Sequence, residues 1–173
     1  MDGRDELLTL AEIAVGLAGF AGVVVAVFVQ REGLHHVDRL RFVGVFGLAF
    51  VTVVLAFWPV ALIHLGFEAP GLWRIASGGM IVAWTVIVAP TLPFMARVRT
   101  DVAVDSLLPV AFMWIPAVGN LLVQILNAAG WFWEPGFVGY LVGLLVYLYS
   151  AGLLFVYSVL FRPREGGVAE DPK

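Results

Sequence analysis

Five runs of apolar residues, each long enough to cross a bilayer as a helix, constrain this chain more than any other feature. A transmembrane helix needs about 20 mostly apolar residues, and a lone strand could not satisfy its backbone in lipid. The runs lack the short alternating pattern of a membrane β-barrel. The sequence therefore predicts an all-α, polytopic integral membrane protein, a bundle of five transmembrane helices at about residues 7–29, 42–65, 72–95, 107–129 and 136–161.

Composition supports this class and excludes others. Of the 173 residues, 61% are hydrophobic and 13% are charged, which is too little charge to cover a water-soluble surface. The net charge of −3 leaves no basic stripe, so we expect no nucleic-acid partner. We expect one transmembrane domain over residues 1–165 and a disordered cytoplasmic tail over residues 166–173.

The placement of basic residues predicts an orientation. With five spans, eight of the ten basic residues fall on one side of the membrane, and only Arg4 and Arg74 fall on the other. Because Lys and Arg concentrate in cytoplasmic loops, the N-terminus is predicted outside and the C-terminus inside. The expected location is the cell membrane, of the bacterial inner-membrane type, with the lipid bilayer as the first partner.

The first span carries small residues and one carboxylate on one helical face. Glu12, Gly16 and Gly19 follow one another at spacings of four and three, and Gly22 lies close by. One interpretation is close helix packing through the glycines, which lets two backbones approach. The other is a cavity-lining helix with Glu12 as an outward cation site.

Three carboxamides repeat along the fourth span. Asn120, Gln124 and Asn127 share one stripe, and such groups are unlikely to face lipid. They form either hydrogen-bonded glue between helices or the polar lining of a permeation path.

Depth connects these residues with two more. His64 closes the second span and Arg74 opens the third on the outer side, so both lie at a depth similar to Glu12, Gln124 and Asn127. A charge inside a membrane span is expected to be paired. We therefore expect Glu12 to pair with Arg74 or His64, with the amides completing a polar network.

Glycines recur in the fifth span. Gly139 and Gly143 form a small-xxx-small pattern, which predicts either a dimerisation face or contact with another span of the same chain.

No feature points to catalysis, a cofactor or a metal. The chain has no cysteine, only three histidines, and none of the usual nucleophile, zinc or phosphate-loop motifs. The leading hypothesis is an oligomeric transport or channel-like component, whose path is lined by span one or span four. The alternative is a non-catalytic scaffold or accessory subunit of a larger membrane complex, and an enzyme acting on a lipid or quinone is a third. The expected partners are further copies of the chain or other membrane subunits.

Overall fold

The computed structural model of the protein describes residues 3–32, 36–88, 107–131 and 136–160. Within these ranges the chain forms five helices and no strand, which confirms the prediction of an all-helical protein. The last part of the third predicted span, residues 89–95, and the predicted tail, residues 166–173, lie outside them. The helices are α1 (Arg4–Glu32), α2 (His36–His64), α3 (Gly71–Val88), α4 (Leu107–Ala129) and α5 (Phe137–Leu160).

Three of the helices are long and apolar enough to cross a membrane. Their apolar spans are Arg4–Gln30 in α1, Arg41–His64 in α2 and Phe137–Leu160 in α5. The shortest has 24 residues, which corresponds to about 36 Å against a hydrocarbon core of about 30 Å. The apolar stretches of α3 and α4, Gly71–Ile87 and Trp114–Ala129, are shorter. The three long helices suggest a membrane location.

Two helices end in the same glycine-dependent turn. Gly130 follows α4 with a φ of +77°, and the Trp131 N–H donates to the Leu126 carbonyl at 3.0 Å. Gly66 follows α2 with a φ of +87° and belongs to a turn of the same pattern. A residue with a Cβ is strained at positive φ, so glycine is the residue that ends a helix in this way.

Helix α5 is the centre of the bundle, because it packs against the other four helices. On one side, α1 packs against α2 and α5; on the other, α4 packs against α3 and α5. In the described parts of these helices, α1 makes no contact with α3 or α4. The amides of α4 and the stripe of α1 therefore lie on opposite sides of α5.

One end of the bundle, here called the Arg74 end, carries the main core. The start of α5 meets α3 there, with the Phe137 and Trp73 rings 5.2 Å apart. Gly3, just before α1, lies against the Phe137 ring, and Tyr140 donates a hydrogen bond to the Leu55 carbonyl of α2. Aromatic and aliphatic side chains fill the bundle from this end to about its middle: Leu7, Leu10, Leu55, Leu62, Leu72, Trp73, Met80, Tyr140, Leu144 and Tyr147.

Candidate functional site

A cluster of three amides is the most developed polar feature of the described residues. Asn120, Gln124 and Asn127 are spaced four and three apart, which places them on one face of α4. Their side chains are 4%, 1% and 3% exposed. The stripe predicted from sequence is thus buried inside the chain, facing α5 and α3.

The opposing surface consists of glycines, here called the glycine face: Gly136, which directly precedes α5, and Gly139 and Gly143 within α5. A Cβ built on Gly143 would lie 2.6 Å from Gln124 Nε2 and 2.9 Å from Asn120 Oδ1. At Gly139 the nearest atom would be Asn127 Nδ2, at 3.3 Å. The amides therefore occupy space that any larger residue on α5 would take. Of the two alternatives for the glycine pattern, contact with another span of the same chain is the one observed.

Hydrogen bonds join the amides to their neighbours. Gln124 Nε2 donates to Asn120 Oδ1 at 3.0 Å and to the Gly139 carbonyl at 2.8 Å. Asn127 Nδ2 donates to the Gly136 carbonyl at the start of α5, at 2.8 Å. The glycine face makes these bonds possible, because without side chains the carbonyls of α5 lie within reach of α4.

A second bond of Asn127 extends the network to a third helix. Its Nδ2 also donates to Ser77 Oγ on α3 at 2.8 Å, and Ser77 is fully buried. Sequence reasoning missed Ser77; its only signal was a lone hydroxyl among small and apolar residues of the third span. Gly136 was missed as an acceptor because a backbone carbonyl leaves no mark in the sequence.

Two buried polar atoms near these interfaces have no hydrogen-bond partner among the described residues. They are Gln124 Oε1 and the Trp84 indole Nε1. Leaving a buried polar atom unpaired costs about 1–3 kcal/mol. The cluster therefore satisfies the donors of Gln124 but not its acceptor.

The ionisable residues predicted to join the cluster lie elsewhere. Glu12 is exposed on α1, which does not reach α3 or α4 within the described ranges. His64 is also exposed, and its Nδ1 lies 2.8 Å from the Val60 carbonyl of its own helix. The structure gives Glu12 no salt bridge with either His64 or Arg74 in the part of the chain it describes.

Arg74 has a different neighbour. Its guanidinium lies against Gly130, where a Cβ would collide with it. This places the positive charge beside the C-terminal end of α4, where the helix dipole favours a cation. The side chain thus bridges the start of α3 and the end of α4.

Two of the glycines of α1 point away from the described rest of the chain. Gly16 and Gly19 are exposed, and a Cβ at either would meet no atom of the described residues within 4 Å. Gly22 lies beside Phe46 of α2, whose ring a Cβ would approach to 3.8 Å. The exposed stripe of α1, here called the α1 stripe, comprises Glu12, Gly16, Gly19, Val23, Ala26 and Gln30.

The amide cluster forms hydrogen bonds that attach helices to one another. Amide donors bound to the Gly139 and Gly136 carbonyls and to the Ser77 hydroxyl hold α5 and α3 against α4. Among the described residues, no three His, Asp or Glu side chains come together as metal ligands would. Comparisons of the chain with protein-family models, curated proteins and solved structures found no match.

Proposed function

We propose that this protein is a non-catalytic scaffold or accessory subunit of a larger membrane complex, and that it binds its partners through the α1 stripe. The observation that carries the proposal is which polar groups have partners inside the chain and which helix face stays exposed. The donors of Gln124 and Asn127 are committed to acceptors inside the chain, whereas the α1 stripe is exposed along its whole length. Such amides act as glue, and small residues on a free face suit a neighbouring helix.

The proposed topology has five spans, with the N-terminus outside and the C-terminus in the cytoplasm. It is supported by the Arg74 end, where the starts of α1, α3 and α5 meet the end of α4. An up-and-down bundle brings these termini together. The charge distribution of the loops supports the orientation, and the proposed location is a cell membrane of the bacterial inner-membrane type.

The partner is another copy of this chain or a different membrane subunit. Helix α1 has surface available for either partner. Only 11% of its most apolar 18-residue stretch is buried, whereas the corresponding shares are 33% in α2 and 39% in α5. A helix with so little contact inside its own chain has surface left for a neighbour, and small residues let two backbones approach in lipid.

Cysteine cross-linking tests the proposal directly, since the chain has no cysteine of its own. Val23→Cys places a thiol on the α1 stripe, and Val82→Cys on α3 is a matched control because both side chains are 62% exposed. In membranes, a photoreactive cross-linker attached through this thiol reacts with a neighbouring chain whether or not that chain has a cysteine, so we expect Val23→Cys to give a heavier species and Val82→Cys to remain a monomer. Equal cross-linking at both positions, or none at Val23→Cys, would contradict the proposal.

A second candidate function is an oligomeric, channel-like transport component with its path lined by α1. The observation favouring it is Glu12, an exposed carboxylate on the same stripe, which would attract cations at the mouth of a shared pore. Purified oligomer reconstituted in liposomes should then conduct cations, and Glu12→Gln should reduce the flux. Absence of flux from the folded oligomer would exclude this function and leave the scaffold.

A further inference from the structure

Helix α2 has a proline in its interior. Pro59 has no backbone N–H, so the carbonyl four residues earlier, that of Leu55, lacks the donor that an α-helix would otherwise give it. Pro59 is fully buried and Leu55 is 4% exposed. Because an unpaired polar group in an apolar interior is costly, this carbonyl needs a donor from outside α2.

Helix α5 supplies that donor. The Tyr140 hydroxyl donates a hydrogen bond to the Leu55 carbonyl, and the tyrosine side chain is completely buried. Its ring is held on the other side by Trp73 of α3, whose ring centre lies 5.8 Å away. The tyrosine therefore meets the one carbonyl of α2 that Pro59 has deprived of its helical partner.

The last turn of α2, beyond the proline, is held by few buried side chains. Among residues 60–64 only Leu62 is buried, and Ile63 is 37% exposed. The N–H groups of residues 60–62 donate to carbonyls on the other side of Pro59, as in any α-helix. These bonds span the position at which a helix most readily bends, because prolines are the usual cause of helix kinks.

We propose that Pro59 is a hinge of α2 and that the Tyr140 hydroxyl controls it by replacing the missing N–H. While the bond to Leu55 is made, residues 60–64 keep the observed position. When it breaks, they bend relative to the rest of α2. The hinge lies toward the Arg74 end, where the end of α2 leads into α3. The inference is independent of the scaffold function, because none of these residues belongs to the α1 stripe.

Hydrogen–deuterium exchange of the detergent-purified protein tests the hinge, with mass spectrometry of peptides that cover residues 60–64. We expect Tyr140→Phe to accelerate exchange there about fivefold, which is the change in local opening that the loss of one hydrogen bond produces. In a Pro59→Ala background the same change should accelerate exchange less than about twofold. The new alanine supplies the N–H that the Leu55 carbonyl lacked, so the hydroxyl is no longer needed.

Tyr147→Phe is the matched control, because it makes the same change in the same helix. The Tyr147 hydroxyl lies 3.4 Å from the Met80 carbonyl of α3. That carbonyl keeps its own helical donor, since the residue four positions later is Trp84 and not a proline. Exchange in residues 60–64 should therefore stay at the wild-type rate.

Three outcomes would overturn the hinge. The first is equal acceleration by Tyr140→Phe with and without Pro59→Ala, which would show that the hydroxyl does not replace the missing N–H. The second is equal acceleration by Tyr147→Phe, which would reduce the effect to a general loosening of α5. The third is unchanged exchange in a folded Tyr140→Phe protein. If Tyr140→Phe alone does not fold, the double variant with Pro59→Ala should fold, and its failure to fold would also overturn the proposal.

Discussion

Replacing Gly143 with alanine tests whether the glycine face and the amide cluster require each other. The new Cβ would collide with Met80 Sδ and would lie 2.6 Å from Gln124 Nε2 and 2.9 Å from Asn120 Oδ1. Met80 has a flexible side chain and can yield, but Gln124 is held by two hydrogen bonds. The amide must therefore move away from its acceptors or α5 must move away from α4.

The expected magnitude follows from these contacts. Inserting a methyl group into a packed core costs about 1–3 kcal/mol. The displaced bonds of Gln124 are worth about 0.6 kcal/mol each in a membrane protein. Alanine is a better helix former than glycine by up to about 1 kcal/mol, which opposes the loss. We expect Gly143→Ala to lower the free energy of unfolding by about 2 kcal/mol.

Gly152→Ala is the matched control, because it makes the same change in the same helix, at a position where a Cβ would meet no described atom within 4 Å. It should leave stability unchanged or raise it by less than about 1 kcal/mol. Reversible unfolding in mixed micelles of mild detergent and sodium dodecyl sulfate measures both values. Equal stability of Gly143→Ala and Gly152→Ala would show that the amide cluster does not depend on the close approach of α4 to α5.

Three further predictions concern single contacts, each measured by the same unfolding assay. Gly130→Ala should lower the free energy of unfolding by at least about 1 kcal/mol more than Gly66→Ala does. Both glycines have positive φ, but only Gly130 has a guanidinium against it. Equal losses would argue against that contact. Tyr140→Phe should cost about 1 kcal/mol by leaving a buried α2 carbonyl without its donor, and an unchanged stability would refute the bond. Glu12→Gln should change stability by less than about 0.5 kcal/mol, since the carboxylate has no partner in the described chain; a larger loss would reveal one.

The amide stripe shows how far sequence reasoning reaches in this protein. The spacing of Asn120, Gln124 and Asn127 indicated one polar face, and the structure buries that face. The spacing left open whether this face meets water or another helix, because either one can supply hydrogen-bond partners to amide side chains. The glycine pattern of the fifth span likewise left open which helix packs against it, because small residues permit close approach by any neighbouring helix.

The ionisable residues show where similar depth misleads. Glu12 and Arg74 were expected to meet because both lie near the same end of their spans. Two residues at the same depth in the membrane can still lie on different sides of the bundle. Helices α1 and α3 lie on different sides of α5, and the charge of Arg74 is instead placed beside the end of α4. The sequence carries no signal for the angular order of helices.

What the sequence by itself determined is the helical, membrane-suited character of the chain. Apolar length and composition are local properties, and they act on each segment regardless of its neighbours. Only the tertiary structure decided which acceptor each donor uses and which face is left free. Asn127 and Ser77 are 50 residues apart in sequence, and Tyr140 and Leu55 are 85 apart. Their bonds depend on how separate helices pack, since a donor in an apolar interior accepts whichever acceptor the packing brings within reach. The same packing leaves the α1 stripe exposed.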